Sequence, residues 1–588
     1  MSISSTKNNE KENIKISSPI IINNGDSSSF STEKFQRTTS DRNKKMEGHW
    51  TKSLIFAVLA AAFGSSFQFG YHIGCINLPA DLIKQWFSDQ ISGSDAATIE
   101  TRCENCWSSR TALVETFGGV WLLEFFAVGG MIGGNLVGIV ATKLGRKRAL
   151  LYNNALAVIA GALMAGAKFV GNYWLFSSGS SYCWNNAVFA VGGMIGGNLV
   201  GIVATKLGRK RALLYNNALA IIAGALMAGA KFVGNYWLFI LGRLIVGINA
   251  GLNSGLAPMY LTEVSPANLR GATGSFAQLF VTIAILFSQI LGLPFLLGTV
   301  ERWPLIFAFT FVPVLVQLCT LTFCPETPEF TIVVKGQRDQ AEKDLKKLRE
   351  SEDVQAELDL ISEEAAKANS GAPSSMKDIY GTRLPWPLVL ALFMMISQQL
   401  SGINAAMFYS TAIFKGAGLK GQWPNYATIA MGAINVLMTV VSVYLVEHPR
   451  FGRRTLHITG MVGMCFSTAM IAISMLVAKS IEFVSFLSII FCSTLCYFHS
   501  QLDQHTLYEV IRVLPFVISF ATGPGSIPWF YVNEMFPSNL RGIASTFAVT
   551  VNWICVILVA TFFPIIDVCF KNFNFSDRTK EKLLLNKN

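Results

Sequence analysis

The chain has 588 residues, 52% of them hydrophobic and only 14% charged, with a formal net charge of +11. Soluble domains carry about 25% charged residues; that balance, with apolar runs of membrane-crossing length recurring from Ile55 to Pro564, excludes an ordinary soluble protein and predicts a multi-span membrane protein. A signal peptide ahead of a soluble domain is excluded too, because the first apolar run follows a long polar segment.

Residues 1–49 are rich in Ser, Asn, Lys and Glu, bury too little to fold alone, and are expected to form a disordered tail. Arg37, Arg42, Lys44, Lys45 and Lys52 precede and open the first span, which predicts a cytosolic N-terminus and reads the positive balance as inner-leaflet bias, with no nucleic-acid partner. The polar loop after that span holds Cys103 and Cys106. A single CxxC without a second pair or histidines reads as a loop disulfide or as free thiols, so no metal and no cofactor are expected.

The next element occurs twice. Residues Phe126–Phe176 return as Phe189–Phe239 with 50 of 51 positions identical, Val158 against Ile221 being the exception. Gly129 and Gly133, and likewise Gly130, Gly134 and Gly138, sit four apart inside an apolar run. A phosphate-cradling loop would follow a strand and face water; small residues at this spacing let membrane helices approach closely. The run ends in Lys-Leu-Gly-Arg-Lys-Arg and a second apolar run follows, so each copy is predicted to be a helical hairpin that enters and leaves on the outer side. An extra copy then adds two spans and preserves the orientation of everything downstream.

A second repeat runs through the chain. EVSPANLRG at Glu263–Gly271 is echoed by EMFPSNLRG at Glu534–Gly542, each preceded by a Gly-Arg-basic turn at Gly208-Arg209-Lys210 and Gly452-Arg453-Arg454. Two halves with the same order of elements suggest parallel structural repeats, a transporter plan. The turn-to-motif spacing is 263 − 208 = 55 in the first half and 534 − 452 = 82 in the second, against 263 − 145 = 118 from the earlier hairpin copy. The second copy is therefore in register, and the second half carries an insertion of 82 − 55 = 27 residues, placed at about 491–515, where Asp503, Glu509 and Arg512 interrupt an apolar run. After Gly542 one span follows, against two after Gly271, so a last span is expected to be missing and thirteen spans are counted in all.

From the first span to Pro564 the motifs resemble the sugar porters of the major facilitator superfamily, particularly animal facilitative glucose transporters. The likeness rests on QFGYHIGCINLP (Gln68–Pro79), GGMIGG with GRK, LGRLIVGINAGL (Leu241–Leu252), EVSPANLRG, CPETPEF, QQLSGINAAMFYSTAIF (Gln398–Phe414), GRRTL, GPGSIPWF (Gly523–Phe530) and Asn552-Trp553, in family order. The resemblance implies an all-α membrane fold of two six-helix bundles with a hexose held between them, here with a duplicated hairpin. The expected organisation is a tail at 1–49, an N-terminal bundle at 50–325, and an interdomain segment at 326–384. A C-terminal bundle at 385–566 and a polar tail at 567–588 complete it.

A sugar is uncharged and rich in hydroxyls, which suits amides that both donate and accept. Gln278, Gln398, Gln399, Asn404 and Asn435 lie in apolar spans and match sugar contacts of the family, Trp529 would stack on the ring, and Asn552 matches a polar position beside it. Gln289 reads equally as a contact or as interhelical glue. Arg209, Lys210, Glu263, Arg270, Glu326, Glu447, Arg453, Arg454, Glu534 and Arg541 resemble the family's cytosolic gate, and Asn77 and Arg243 match outer-side polar positions.

The chain also departs from the pattern. Proton-coupled relatives read F-G-Y-D where this chain has Phe69-Gly70-Tyr71-His72, which favours uniport; a glutamate common before the GPG motif is Ala521. Glucose-selective members read Q-L-S where Met395-Ile396-Ser397 stands, and P-E-S-P-R appears as Pro325-Glu326-Thr327-Pro328-Glu329, one basic gate residue fewer. The expected function is facilitative transport of a hexose, most of all D-glucose, at the plasma membrane among lipid. A proton symporter, a sugar sensor and an inactive isoform are the alternatives.

Overall fold

The computed structural model describes residues 48–92, 178–369, 385–416, 421–448, 450–477, 514–538 and 540–560. The N-terminal tail, the Cys103–Cys106 loop, the first hairpin copy, all but the end of the 491–515 insertion and the segment after residue 560 lie outside them.

Every regular element among the described residues is a helix. Helix α1 (Lys52–Gly74) is capped by the Thr51 hydroxyl, which accepts from Leu54 N at 3.1 Å, and contains a π-helical turn at Ala62–Ser66. Then come α2 (Ala80–Ser92), α3 (Ser178–Leu207), α4 (Arg209–Val233), α5 (Tyr236–Val264), α6 (Arg270–Leu291) and α7 (Trp303–Leu321). Short helices α8 (Pro328–Val333), α9 (Arg338–Arg349) and α10 (Gln355–Asn369) fill the interdomain segment. The C-terminal half holds α11 (Trp386–Lys415), interrupted at Gly402, α12 (Trp423–Glu447), α13 (Arg453–Val477), a helix at 514–522, α14 (Ile527–Met535) and α15 (Leu540–Ala560). Nine helices among the described residues are long and apolar enough to cross a membrane.

The second hairpin copy forms α3 and α4. Gly208, at φ +88°, makes the turn between them, a backbone state that only glycine adopts without strain. The glycine spacing serves two interfaces at once. A Cβ on Gly192 or Gly196 would strike the backbone of α5, and Gly247 and Gly251 of α5 answer from the other side. One residue further round, Gly193, Gly197 and Gly201 face Trp553, Val549 and Gly542 of α15, and Gly201 N donates to Thr546 Oγ1 at 2.8 Å. Helix α3 is thus wedged between a helix of each half, as close packing of small residues allows.

Other buried amides act as glue within the N-terminal half. Asn216 of α4 donates to Asn249 O (3.0 Å) and Asn253 Oδ1 (2.9 Å) of α5, and Asn249 donates back to Asn216 O. Gln68 Nε2 reaches Asn217 Oδ1 at 2.8 Å, and Gln317 Nε2 reaches Ser65 Oγ at 2.6 Å. In the interdomain segment Ile332, Ala341, Leu345, Leu358 and Ile361 make a small core, and Arg349 forks onto both carboxylate oxygens of Glu357 at 3.0 and 2.8 Å.

Candidate functional site

Seven polar or aromatic side chains predicted for sugar contact, Gln278, Gln398, Gln399, Asn404, Asn435, Trp529 and Asn552, line one cavity of about 60 Å³. That is several times the roughly 10–15 Å³ one water needs. Its depth follows from position along the helices: Gln278 is residue 9 of 22 in α6, Asn435 is 13 of 25 in α12, and Asn552 is 13 of 21 in α15. All three lie near mid-span. The N-terminal half adds Phe69, Ile73, Phe189, Val281 and Ile285, so the cavity sits between the halves, and no ionisable group is among its lining residues.

The C-terminal half supplies a chain of amides. Gln398 Nε2 donates to Pro524 O (2.7 Å) and Gly525 O (3.1 Å), tying it to the turn of the GPG motif. Asn552 Nδ2 donates to Gln398 Oε1 at 3.0 Å, and Gln399 Nε2 donates to Asn552 Oδ1 at 3.0 Å. Asn404 Nδ2 closes the series on Gln399 Oε1. Each amide is held by its neighbour, while Asn435 Oδ1 is buried with no partner among the described residues. Trp529 meets Phe69 edge to face at 6.3 Å, and Trp553, behind it, donates to Ser254 Oγ at 3.3 Å. Met395 stands behind the chain, its sulfur 3.5 Å from Asn552 Nδ2.

At one end of the molecule the charged motifs converge. Arg209 pairs with Glu263 through two contacts, both 2.9 Å, and Arg541 Nη1 lies 3.2 Å from the same carboxylate across the halves. Arg541 also donates to Asn533 O (2.7 Å) and pairs with Glu329, which accepts from Ser538 Oγ at 2.8 Å and lies 3.4 Å from Arg270. Glu447 of α12 accepts from Ala272 N at the start of α6 at 2.7 Å, a second link between halves, and Arg453 pairs with Glu534 at 3.0 Å. Burial pushes the Glu329 carboxyl up, but the Arg541 and Arg270 guanidiniums outweigh it and hold it below the usual range. For Glu326 burial wins, raising its carboxyl despite bonds from Lys210 N (2.9 Å) and Thr327 N (3.1 Å).

At the opposite end Asn77 Nδ2 donates to Ser410 Oγ (2.6 Å) and Met407 O (2.9 Å), joining the turn after α1 to α11, and Asp81 pairs with Lys415 at 2.6 Å. Burial raises the Asp81 carboxyl, yet Lys415 and Lys84 bring it below its ordinary value. Both ends are shut.

The family model described as "Sugar (and other) transporter" matches residues 57–183 and 177–576, two segments that meet between the hairpin copies. The chain belongs to the sugar transporter family. It is 44% identical over 542 residues to the "Facilitated glucose transporter protein 1" of Caenorhabditis elegans, covering 92% of this chain and 87% of that protein. It is 36% identical over 526 residues to the "Solute carrier family 2, facilitated glucose transporter member 4" of Mus musculus, covering 89% and 84%. Among solved structures it is similar in fold to the major facilitator proton:xylose symporter XylE bound to 6-bromo-6-deoxy-D-glucose, with TM-score 0.60, 21% identity, and coverage of 88% and 89%. The transporter has the major facilitator fold and is not an enzyme.

Two expected network members of this sugar transporter sit differently. Arg454 is exposed on the α13 surface with no ion pair among the described residues. Neighbours on a helix do not face the same way, and Arg453 takes the inward position. Lys210 likewise turns from Arg209's partner to donate to Thr322 O at 2.8 Å. Arg243 lies within α5, fully buried, its guanidinium 4.4 Å from the Phe189 ring and its Nη1 donating to His72 O at 3.2 Å.

Sequence reasoning missed the apolar lining residues Phe69, Phe189, Phe408 and Phe520, the Asp81–Lys415 pair and the place of Glu329. Phenylalanines in apolar spans carry no distinguishing signal, and the ion pair joins residues far apart in the chain. Gln289 faces Gly432 of α12 fully buried, with neither end of its amide bonded among the described residues. Gln289→Leu is expected to stabilise the transporter by about 1 kcal/mol, because it removes an unsatisfied amide without opening a void. Thermal unfolding in detergent checks this; a lower midpoint for the variant contradicts it.

Proposed function

We propose that the transporter is a facilitative uniporter for a hexose, D-glucose first, working by alternating access in the plasma membrane. The observation that carries this is the mid-span cavity where all seven amide and tryptophan positions meet between the halves. Amides serve hydroxyls that donate and accept, the Trp529 ring offers an apolar face to a pyranose, and a lining without ionisable groups suits an uncharged cargo. The same absence among the lining residues leaves the cavity without a proton carrier. His72, at the position of the acid in proton-coupled relatives, is buried with Nε2 3.3 Å from Thr310 Oγ1.

The two ends where contacts join the halves are the gates of the cycle. The arginine-glutamate network is the cytosolic gate, consistent with the basic turns of the helical hairpins and the positive-inside rule, and the Asn77 and Asp81 contacts are the outer one. Alternating access opens one while the other holds.

The test is uptake of D-glucose, with L-glucose and fructose as controls, in cells lacking their own hexose transporters. The full chain is compared with a form lacking Ala127–Phe189, which keeps one complete hairpin. Saturable, stereoselective uptake that survives collapse of the pH gradient is expected of the shorter form. Uptake that follows the pH gradient makes the protein a symporter. None at confirmed surface expression makes it a sensor or an inactive isoform.

A further inference from the structure

We propose that Glu329 is the pin of the cytosolic gate: its carboxylate gives one oxygen to each half of the transporter, and releasing one of them is the step that opens the inside. The inference rests on the alternating-access reading above and adds a residue that the family pattern fills with a base.

Glu329 belongs to the short helix α8, which is fixed to the N-terminal half. Tyr260 OH of α5 donates to Pro325 O at 3.0 Å, Lys210 N donates to Glu326 Oε1, and the buried Phe330 lies under the Arg209 guanidinium at 5.2 Å. Gly208 adds to the fit, since a Cβ there would meet both Phe330 and Glu326. The carboxylate of Glu329 therefore moves with that half. Its Oε1 lies 3.4 Å from Arg270 Nη2, in the same half, whereas Oε2 takes Arg541 Nη1 and Ser538 Oγ, both from the C-terminal half.

When the halves part at this end, Oε1 keeps its partner and Oε2 loses two. Charge explains why an acid is needed. At position 329 the acid answers two cations, Arg541 and Arg270. An arginine there would remove that carboxylate and set a third cation against both, with Arg541 buried.

The test has two readouts. In proteoliposomes, zero-trans entry and exit kinetics are measured for the wild type, Glu329→Gln, Glu329→Asp and Glu329→Arg. A weaker inner gate lowers the outward-facing fraction, and apparent affinity on each side scales with the competent fraction. Glu329→Arg is expected to raise the outside KM by roughly tenfold or more and to lower the inside KM. Glu329→Gln lies between that and the wild type, and Glu329→Asp is the mildest. A merely structural role lowers protein yield and leaves both KM values in place.

The second readout needs no transport. Spin labels on Arg211→Cys and Arg454→Cys, exposed positions at this end on opposite halves, report the gate directly in a cysteine-free background. Glu329→Arg is expected to shift the distance distribution toward the longer, open population. Identical distributions in wild type, Glu329→Gln and Glu329→Arg overturn the proposal. A wild type that moves no hexose but shows the label shift overturns the hexose reading and leaves the pin standing.

Discussion

Asn552→Leu is expected to lower kcat/KM for hexose entry roughly thirtyfold or more, the equivalent of about 2 kcal/mol. Asn552 is the middle of the amide chain, donating to Gln398 Oε1 and accepting from Gln399 Nε2, both at 3.0 Å. Leucine matches its size but pairs with neither, so an acceptor and a donor are left bare in a buried site, each costing about 1–3 kcal/mol. Gln398 and Gln399 then turn toward other partners and lose the poise that presents their amides to the cavity. The control is Asn216→Leu. That amide bonds only within the N-terminal half and lies away from the cavity, so its loss is expected to reduce the amount of folded protein while transport per surface molecule holds. Radiolabelled uptake normalised to surface biotinylation separates the two. Equal effects per surface molecule would make the amide chain structural and remove it from sugar binding.

That contrast shows what could be read in the sequence. An amide in an apolar run stands out because an unpaired polar group is costly in a membrane, and the seven cavity positions were visible for that reason together with their motifs. Burial alone did not sort them. Asn216, Asn249 and Gln68 are as buried as Asn552, yet they bond along helix interfaces and line no cavity. The glycine spacing of the hairpin was legible as close packing, but not that two offset stripes serve helices from opposite halves. Glu329 was illegible in principle. By motif it reads as a missing base, and only the convergence of Arg270 and Arg541 in space makes the acid meaningful.

The two ends proposed as gates are built from unlike materials. At the end of the arginine-glutamate network the paired groups Glu263, Glu329 and Arg541 are buried, whereas at the opposite end the Asp81 and Lys415 side chains are 67% and 48% exposed. An exposed pair contributes about 0–1 kcal/mol. That end is joined mostly through Asn77, which carries two bonds into α11. On the alternating-access reading proposed above, the buried network is the costlier of the two ends to part. The cavity and that network share a helix: Asn552 and Arg541 both lie on α15.

Arg541 is where that network is most exposed to a single substitution. Arg541→Leu removes a cation that reaches Glu263, Glu329 and Asn533 O together. Breaking a buried pair from one side costs about 3–5 kcal/mol, and hexose entry is expected to fall by about two orders of magnitude or more at unchanged surface level. The two carboxylates do not suffer equally. Glu263 keeps both contacts to Arg209, while Glu329 keeps only Ser538 and the 3.4 Å approach of Arg270. The orphaned charge is thus Glu329, and the double variant Arg541→Leu with Glu329→Gln is expected to recover part of the lost entry, a non-additivity that a double-mutant cycle reads directly. Arg541→Lys is expected to fall between, since a point charge cannot match the forked donors that hold three acceptors at once. Uptake kinetics on the wild type, Arg541→Leu, Glu329→Gln, the double variant and Arg541→Lys decide it. If the double variant is no better than Arg541→Leu alone, the loss comes from misfolding of α15 and not from an unpaired Glu329.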